Sequence, residues 1–319
     1  MKNAMLYYSV GTLLYCPANH YKIVNSLIEE KFGNNFSLAL CLEDTISDDC
    51  VTEAENILIT SLKNLYIQKA TQNFFLPKIF IRVRNAQQML SLTERFGKSN
   101  DIVTGFIFPK FCLENADEYI ATLLKINLKR KVPLYFMPIF EHSSIINLNN
   151  RYDILYQLKE KLDKVENLVL NIRVGGNDLC HIFGFRRSAE QSIHDIKPIS
   201  SIFSDIITVY GADYVISAPV WEYYNGTNWD KGLEKEVVQD KLCGFVGKTV
   251  IHPKQIAVVN NAYKVTQKDL DDALSILKWN KHTNSLVSGS VSKERMNEFK
   301  THSNWAFKTI MLSRVFGVV

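Results

Sequence analysis

Apolar residues along this chain gather in short runs, each closing on polar or charged positions: 11–17 (GTLLYCP), 36–44 (FSLALCLED), 78–85 (KIFIRVRN), 105–110 (GFIFPK), 133–141 (PLYFMPIFE), 167–178 (NLVLNIRVGGND), 213–222 (DYVISAPVWE) and 245–253 (FVGKTVIHP). Near-continuous Val, Ile, Leu and Phe over such lengths predicts strands of a parallel sheet buried on both faces. The stretches between them, for example 52–69, 115–129 and 152–162, place apolar residues three and four apart and predict amphipathic helices. Eight β-then-α units over about 260 residues predict an α/β protein built as a closed (β/α)8 TIM barrel rather than an open doubly wound sheet. A Gly-rich dinucleotide turn is missing after the first run, where Gly11 is followed by TLLYCPANH. Residues 255–263 are predicted as the last barrel helix and 268–319 as largely helical. The expected division is a barrel over 1–265 and a C-terminal helical tail or lid over 266–319.

Composition narrows the function classes. Of 319 residues 46% are apolar and 22% charged, the balance of an ordinary globular chain. The 37 Lys+Arg against 33 Asp+Glu leave +4, too little for the electrostatic footprint of nucleic-acid or anionic-membrane binding, whereas a small anionic partner stays open. The six cysteines form no CxxC pair and read as reduced core thiols of a cytoplasmic protein. Residues 4–16 have the apolarity of a signal-peptide core, but three tyrosines and no small-residue cleavage site argue against that role. No other run reaches the roughly 18 apolar residues of a membrane span.

Ionisable residues cluster at the ends of the predicted strands: Glu43 and Asp44, Arg82 and Arg84, Lys110, Glu141, Arg173 and Asp178, Glu222 and His252. A closed barrel brings those ends around one mouth, which also receives the polar loop 223–230 after the seventh strand. Side-chain alternation places Arg82 and Arg84 on the same side, one deeper than the other. Glu141 and Asp178, from adjacent strands, are positioned to converge on one hard cation, and an all-oxygen pair favours Mg2+ or Mn2+ over zinc. Arg84 can pair with a substrate carboxylate or a developing enolate oxygen, or tie two strands together through Glu43 or Asp44. Lys110 fits either a Schiff-base role or an ion pair. His252 fits loop capping as well as ligand contact. Arg173, Arg186 and Arg187 indicate an anionic ligand or structural ion pairs.

These residues resemble the HpcH/HpaI aldolase and citrate lyase beta-subunit family. The similarity is carried by Tyr15-Cys16-Pro17-Ala18, Leu42-Glu43-Asp44-Thr45, RVRN at 82–85, Pro109-Lys110, Glu141 after PIF, Gly175-Gly176-Asn177-Asp178-Leu179 and GKTVIHPKQI at 247–256. The resemblance implies a TIM-barrel carbon–carbon bond lyase in which Glu141 and Asp178 bind Mg2+ and Arg84 stabilises an enolate; Glu43 or Asp44 is expected to orient Arg84 or hold a metal-bound water. Substrate contacts are expected from Arg173, Arg186, Lys110, Gly176, Asn177 and His252. The substrate that the resemblance implies is a small 2-oxo or 3-hydroxy acid, with a CoA thioester or a phosphorylated compound among the candidates, and it implies a homo-oligomer whose tail reaches a neighbour's mouth. The tail departs from the family: Asn297 stands where citrate-lyase-like relatives carry an aspartate. That departure, with the segments 185–187, 219–224 and 295–306, resembles a divergent branch of lyases found near bacterial stress genes. It keeps open a second reading, a metal-binding barrel with altered catalysis that serves as a ligand-binding or assembly component.

Overall fold

All eight expected strands form, because each apolar run is long enough to cross a barrel wall and short enough to end at its rim. The protein, seen here as a computed structural model, is described for residues 4–279 and 285–319. Residues 1–3 and 280–284, parts of the expected barrel and tail, lie outside the described residues. The strands are β1 (Thr12–Pro17), β2 (Ser37–Cys41), β3 (Ile79–Arg82), β4 (Val103–Phe108), β5 (Tyr135–Phe140), β6 (Ile172–Val174), β7 (Ile216–Ser217) and β8 (Lys248–Val250). They pair in parallel in the order β7-β6-β5-β4-β3-β2-β1-β8. An Ala218–Lys248 bridge and the Val246 N–H donating to the Ile216 carbonyl at 2.8 Å join the two ends, so the sheet closes.

The helices are α1 (Met5–Tyr8), α2 (Ile23–Ile28), α3 (Val51–Thr71), α4 (Ala86–Phe96), α5 (Leu113–Asn127), α6 (Arg151–Asp163), α7 (Gly176–Phe183), α8 (Lys197–Tyr210), α9 (Trp229–Leu242) and α10 (Lys254–Tyr263) around the barrel, then α11 (Gln267–Leu277) and α12 (Phe299–Phe316). Alternation along the strands splits the core in two. Leu14, Leu40, Ile81, Phe108 and Phe136 face outward into the layer shared with the helices. Leu13, Ala39, Phe80, Ile107, Met137, Ile139 and Leu170 face inward and fill the lower barrel. The same inward rows, continued toward the strand ends, carry Tyr15, Arg82, Glu141, Arg173 and Thr249. A filled base beneath a polar upper layer leaves room for chemistry only at the mouth.

The tail is largely helical, as expected, but not only helical. It includes a hairpin of β9 (Val287–Gly289) and β10 (Met296–Glu298), which packs on α11 and α12. The end of α12 lies where the strands begin: a Cβ on Gly11 would meet Val315 at 3.3 Å, and Asn35 Nδ2 donates to the Val315 carbonyl. A Val265–Val318 bridge fixes the C-terminus beside the end of α10. The described tail thus covers the N-terminal face of its own barrel, opposite the mouth.

Candidate active site at the barrel mouth

The C-terminal strand ends enclose a cavity of about 480 Å3, whose lining includes Tyr15, Asp44, Arg82, Glu141, Arg173, Asp178 and Thr249. Arg82 stands at its centre. As the last residue of β3, registered against Cys41 and Ile107, it points inward and is buried. One Nη reaches Glu43 Oε2 at 2.8 Å, Asp44 Oδ2 at 2.9 Å and Glu141 Oε1 at 3.2 Å, and the guanidinium lies 5.8 Å from the Tyr15 ring. Burial opposes its charge, but Glu141 and the other groups around it hold its pKa above the ordinary arginine value.

Arg84 is elsewhere. Its Nε donates to the Leu42 carbonyl at 2.7 Å, and its other nitrogens bind the Ile46 carbonyl and Asp48. Strand geometry ends at Arg82, so the two-residue alternation expected to carry Arg84 to the same side fails one step later. The residue clamps the loop after β2 and does not line the cavity. Alternation counted back from the strand end, rather than the RVRN motif, is the signal that singles out Arg82.

Glu141 and Asp178 do meet in the cavity. Glu141 follows β5, is almost fully buried, and accepts from the Lys110 backbone N–H at 3.0 Å. Burial pushes its pKa up to about 8; Arg82 opposes that shift and the Asp178 charge adds to it. Asp178 sits in the first turn of α7, where the helix dipole favours a carboxylate, and is partly exposed. Two converging carboxylates, one of them destabilised by burial and by its neighbour, form a donor set that a hard divalent cation would neutralise, so the residues fit Mg2+. Among the described residues, the His/Cys/Asp/Glu group of three or more close enough to share an ion is a different one, Cys112, Glu114 and His142, on the adjoining loops. Glu141 and Asp178 could supply two oxygen ligands to such a cation, which ordinarily keeps several waters.

Lys110 holds a left-handed backbone, φ +48°. Its Nζ contacts Glu43 and reaches Asp44 Oδ1 at 2.9 Å and Asp178 Oδ1 at 4.0 Å. Burial would lower its pKa, but the hydrogen bonds to Glu43 and Asp44 outweigh it and raise the value. That is opposite to what imine formation needs, so Lys110 is an ion-pair residue. Of the neighbouring acids, Glu43 is pushed up by burial, whereas Asp44 is held down to about 2: burial works against it, and Arg82, Glu43 and Lys110 together prevail.

The other expected contacts divide. Gly176 and Asn177 line the mouth, as does Arg173 from β6. His252 does not. Its ring stacks on Tyr224 at 4.6 Å and its Nδ1 accepts from the Lys254 N–H at 3.2 Å, which makes it a cap of α10. Exposed Arg186 faces Glu222 at 3.4 Å outside the cavity. Buried Arg187 belongs to a structural network in which Glu236 and Asp240 of α9 receive Lys248 Nζ at 2.9 and 2.7 Å, Arg187 approaches Glu236 at 3.2 Å and His194 meets Asp240 at 2.8 Å. Tyr15 and Thr249, absent from the sequence expectation, belong to the cavity wall. All six cysteines are free thiols, and no helix among the described residues is long and apolar enough to cross a membrane.

Known proteins place this arrangement. Citrate lyase subunit beta of Haemophilus influenzae is 39% identical over 54 residues, 17% of this chain and 19% of that protein, and the Escherichia coli K12 counterpart is 37% identical over 54 residues, 17% and 18% respectively. The chain thus spans about a fifth of the length of the curated relatives it matches. A citrate lyase from Burkholderia xenovorans superposes with a TM-score of 0.72 at 13% identity, covering 97% of this chain and 93% of that one. CitE from Mycobacterium tuberculosis, solved with magnesium, acetoacetate and coenzyme A, superposes with a TM-score of 0.62 at 16% identity, covering 98% and 99%. At those identities the structures establish a shared fold. The model of the C-C bond lyases of the TIM-barrel fold matches residues 4–318, and the chain therefore belongs to that family.

Proposed function

We propose that this protein is a Mg2+-dependent carbon–carbon bond lyase that cleaves or forms a small 2-oxo or 3-hydroxy acid, or its acyl thioester, by aldol-type chemistry. The observation that carries the reading is the meeting of Glu141 and Asp178 beside the Arg82 guanidinium in one barrel-mouth cavity. M. tuberculosis relatives solved with magnesium and oxaloacetate or pyruvate lend it support. Glu141 and Asp178 would hold the cation, which when bound supplies Lewis-acid polarisation of the substrate carbonyl. Breaking the bond next to that carbonyl leaves negative charge on an enolate oxygen. Arg82, already inside the low-dielectric mouth, neutralises that charge and takes the role the family pattern gave to Arg84. Glu43 and Asp44 hold Arg82 and Lys110 in place, so little reorganisation is needed as charge develops. Asp178→Ala should abolish Mg2+ binding followed by calorimetry; unchanged affinity would refute the assignment.

A second reading, a barrel with altered catalysis that works as a binding or assembly component, is favoured by Asn297. This residue is buried in β10 and hydrogen-bonded to Asp272. An amide tied into its own tail is a poor acid or base for any mouth. Screening 2-oxo and 3-hydroxy acids, free and as thioesters, for Mg2+-dependent release of pyruvate or glyoxylate separates the two readings, since turnover of any of them eliminates the second. The cytoplasmic location and the homo-oligomer belong to the same proposal, and size measurement in solution tests the latter.

A further inference from the structure

The floor of the cavity carries a charge that no carboxylate among the described residues balances. Four arginines among the described residues are buried: Arg82, Arg151, Arg173 and Arg187. Arg82, Arg151 and Arg187 each reach a carboxylate, whereas Arg173, only 1% exposed, has none within 4.0 Å among the described residues. One Nη donates to Thr249 Oγ1 at 2.5 Å, the other reaches Asn171 Oδ1 at 3.5 Å, and the Tyr15 and Tyr263 hydroxyls are further, uncharged neighbours. Its Nε has no acceptor. Ser217, registered against Arg173 across the β6–β7 pair, also keeps its hydroxyl buried without a partner.

Two donors left unsatisfied in one buried layer, one of them cationic, are costly unless something supplies the acceptor. No group among the described residues supplies it, and Arg173 lines the cavity. The layer lies one inward step below the carboxylates: Arg173 precedes Gly175 by two residues and is registered with Ile139, which precedes Glu141 by two. At about 3.3 Å per residue this is roughly 6–7 Å deeper. Beneath it the apolar plug of Leu13, Phe80, Met137 and Leu170 closes the barrel.

We infer that Arg173 and Ser217 form a floor subsite for a second anionic group of the substrate, a carboxylate or a phosphate, so that the acid entering this mouth is anionic at both ends. The inference rests on the proposed lyase reading for the upper end only. Because the plug leaves no passage below, the group at the floor is compact, and any thioester extends out of the mouth.

The test uses the full chain with Mg2+ and three probes: pyruvate with one anionic group, oxaloacetate with two carboxylates, and phosphonopyruvate with a carboxylate and a phosphonate. The wild type should bind one or both dianions at least tenfold more tightly than pyruvate, and whichever leads identifies the floor group. Arg173→Met should remove that preference while Mg2+ affinity measured without acid stays the same; Ser217→Ala should reduce it several-fold. Arg173→Met should also raise the melting temperature of the ligand-free protein, since it removes an unbalanced buried charge. Equal binding of pyruvate and both dianions by the wild type, or a preference that survives in Arg173→Met, overturns the inference. A melting temperature lowered by Arg173→Met counts against it as well, because the cation would then be structural. Loss of the upper site is read separately: if Asp178→Ala leaves Mg2+ affinity unchanged, the lyase reading fails whatever the floor residues do.

Discussion

Glu141 occupies the space that a side chain on Gly175 would need: a Cβ there would stand 2.0 Å from Glu141 Oε2 and 2.3 Å from Glu141 Cβ. The glycine before α7 is thus a spatial condition for the buried carboxylate of the strand next to it. Gly175→Ala should displace Glu141 and lower Mg2+ affinity at least tenfold in a calorimetric titration. Gly176→Ala meets chiefly the tip of Ile193 at 2.3 Å, a side chain able to turn aside, and should weaken Mg2+ binding less. Equal effects of the two substitutions would contradict this account.

The two arginines of RVRN should separate in kinetics and stability. If the proposed lyase reading holds, Arg82→Met removes the enolate-stabilising cation and should reduce turnover about 10²–10³-fold, the size expected for a lost charge-stabilising donor. Arg84→Met releases two backbone carbonyls and a loop, costing about 1–2 kcal/mol of stability with turnover changed only a few-fold. Melting curves together with pyruvate or glyoxylate release on an active acid decide this. A catalytic collapse on Arg84→Met alone would reverse the assignment of roles.

Lys248, Glu236 and Asp240 are each fully buried. Replacing Lys248 with Met removes the cation that Glu236 and Asp240 share, leaving Arg187 to the first and His194 to the second, and should cost about 3–5 kcal/mol. Urea unfolding measures this directly. A loss under about 1 kcal/mol would mean that the network is solvated.

Lys308 of α12 donates to the Gly244 carbonyl at 2.8 Å, and burial lowers its pKa to about 8 from the ordinary 10.5. Below pH 8 the amine is charged in both folded and unfolded chains, and the folded state bears the full penalty. Between about 8 and 10.5 the unfolded chain holds the extra proton, so this group makes the fold more stable as pH rises. Lys308→Met should be roughly 1–3 kcal/mol more stable than the wild type at pH 7, with the gap closing by pH 10.5. Thermal melts of both proteins across that range test the sign, and a gap that widens with pH rules out the buried-amine explanation.

Much of this was legible in the chain. The eight apolar runs became the eight strands, and Glu141 and Asp178 were found by their place at the end of a strand and just beyond one. Arg84 was misplaced because alternation was extended past Arg82, where hydrogen bonding to β2 stops. The β9–β10 hairpin was missed because its strands span only three residues each, too short to show a period of two against helical surroundings.

Sequence alone determined the layer of each residue, because strand periodicity dictates which side chains face inward and how far along the wall they stand. It also placed the carboxylates Glu141 and Asp178 and the arginines Arg82 and Arg173 at one mouth. Only the tertiary structure decided which cation is balanced. Arg82, Arg151 and Arg187 find carboxylates 35 to 59 positions away in the chain, and Arg173 finds none among the described residues. Charge balance depends on distances between strands that closure of the barrel creates, and no local pattern of residues carries that information.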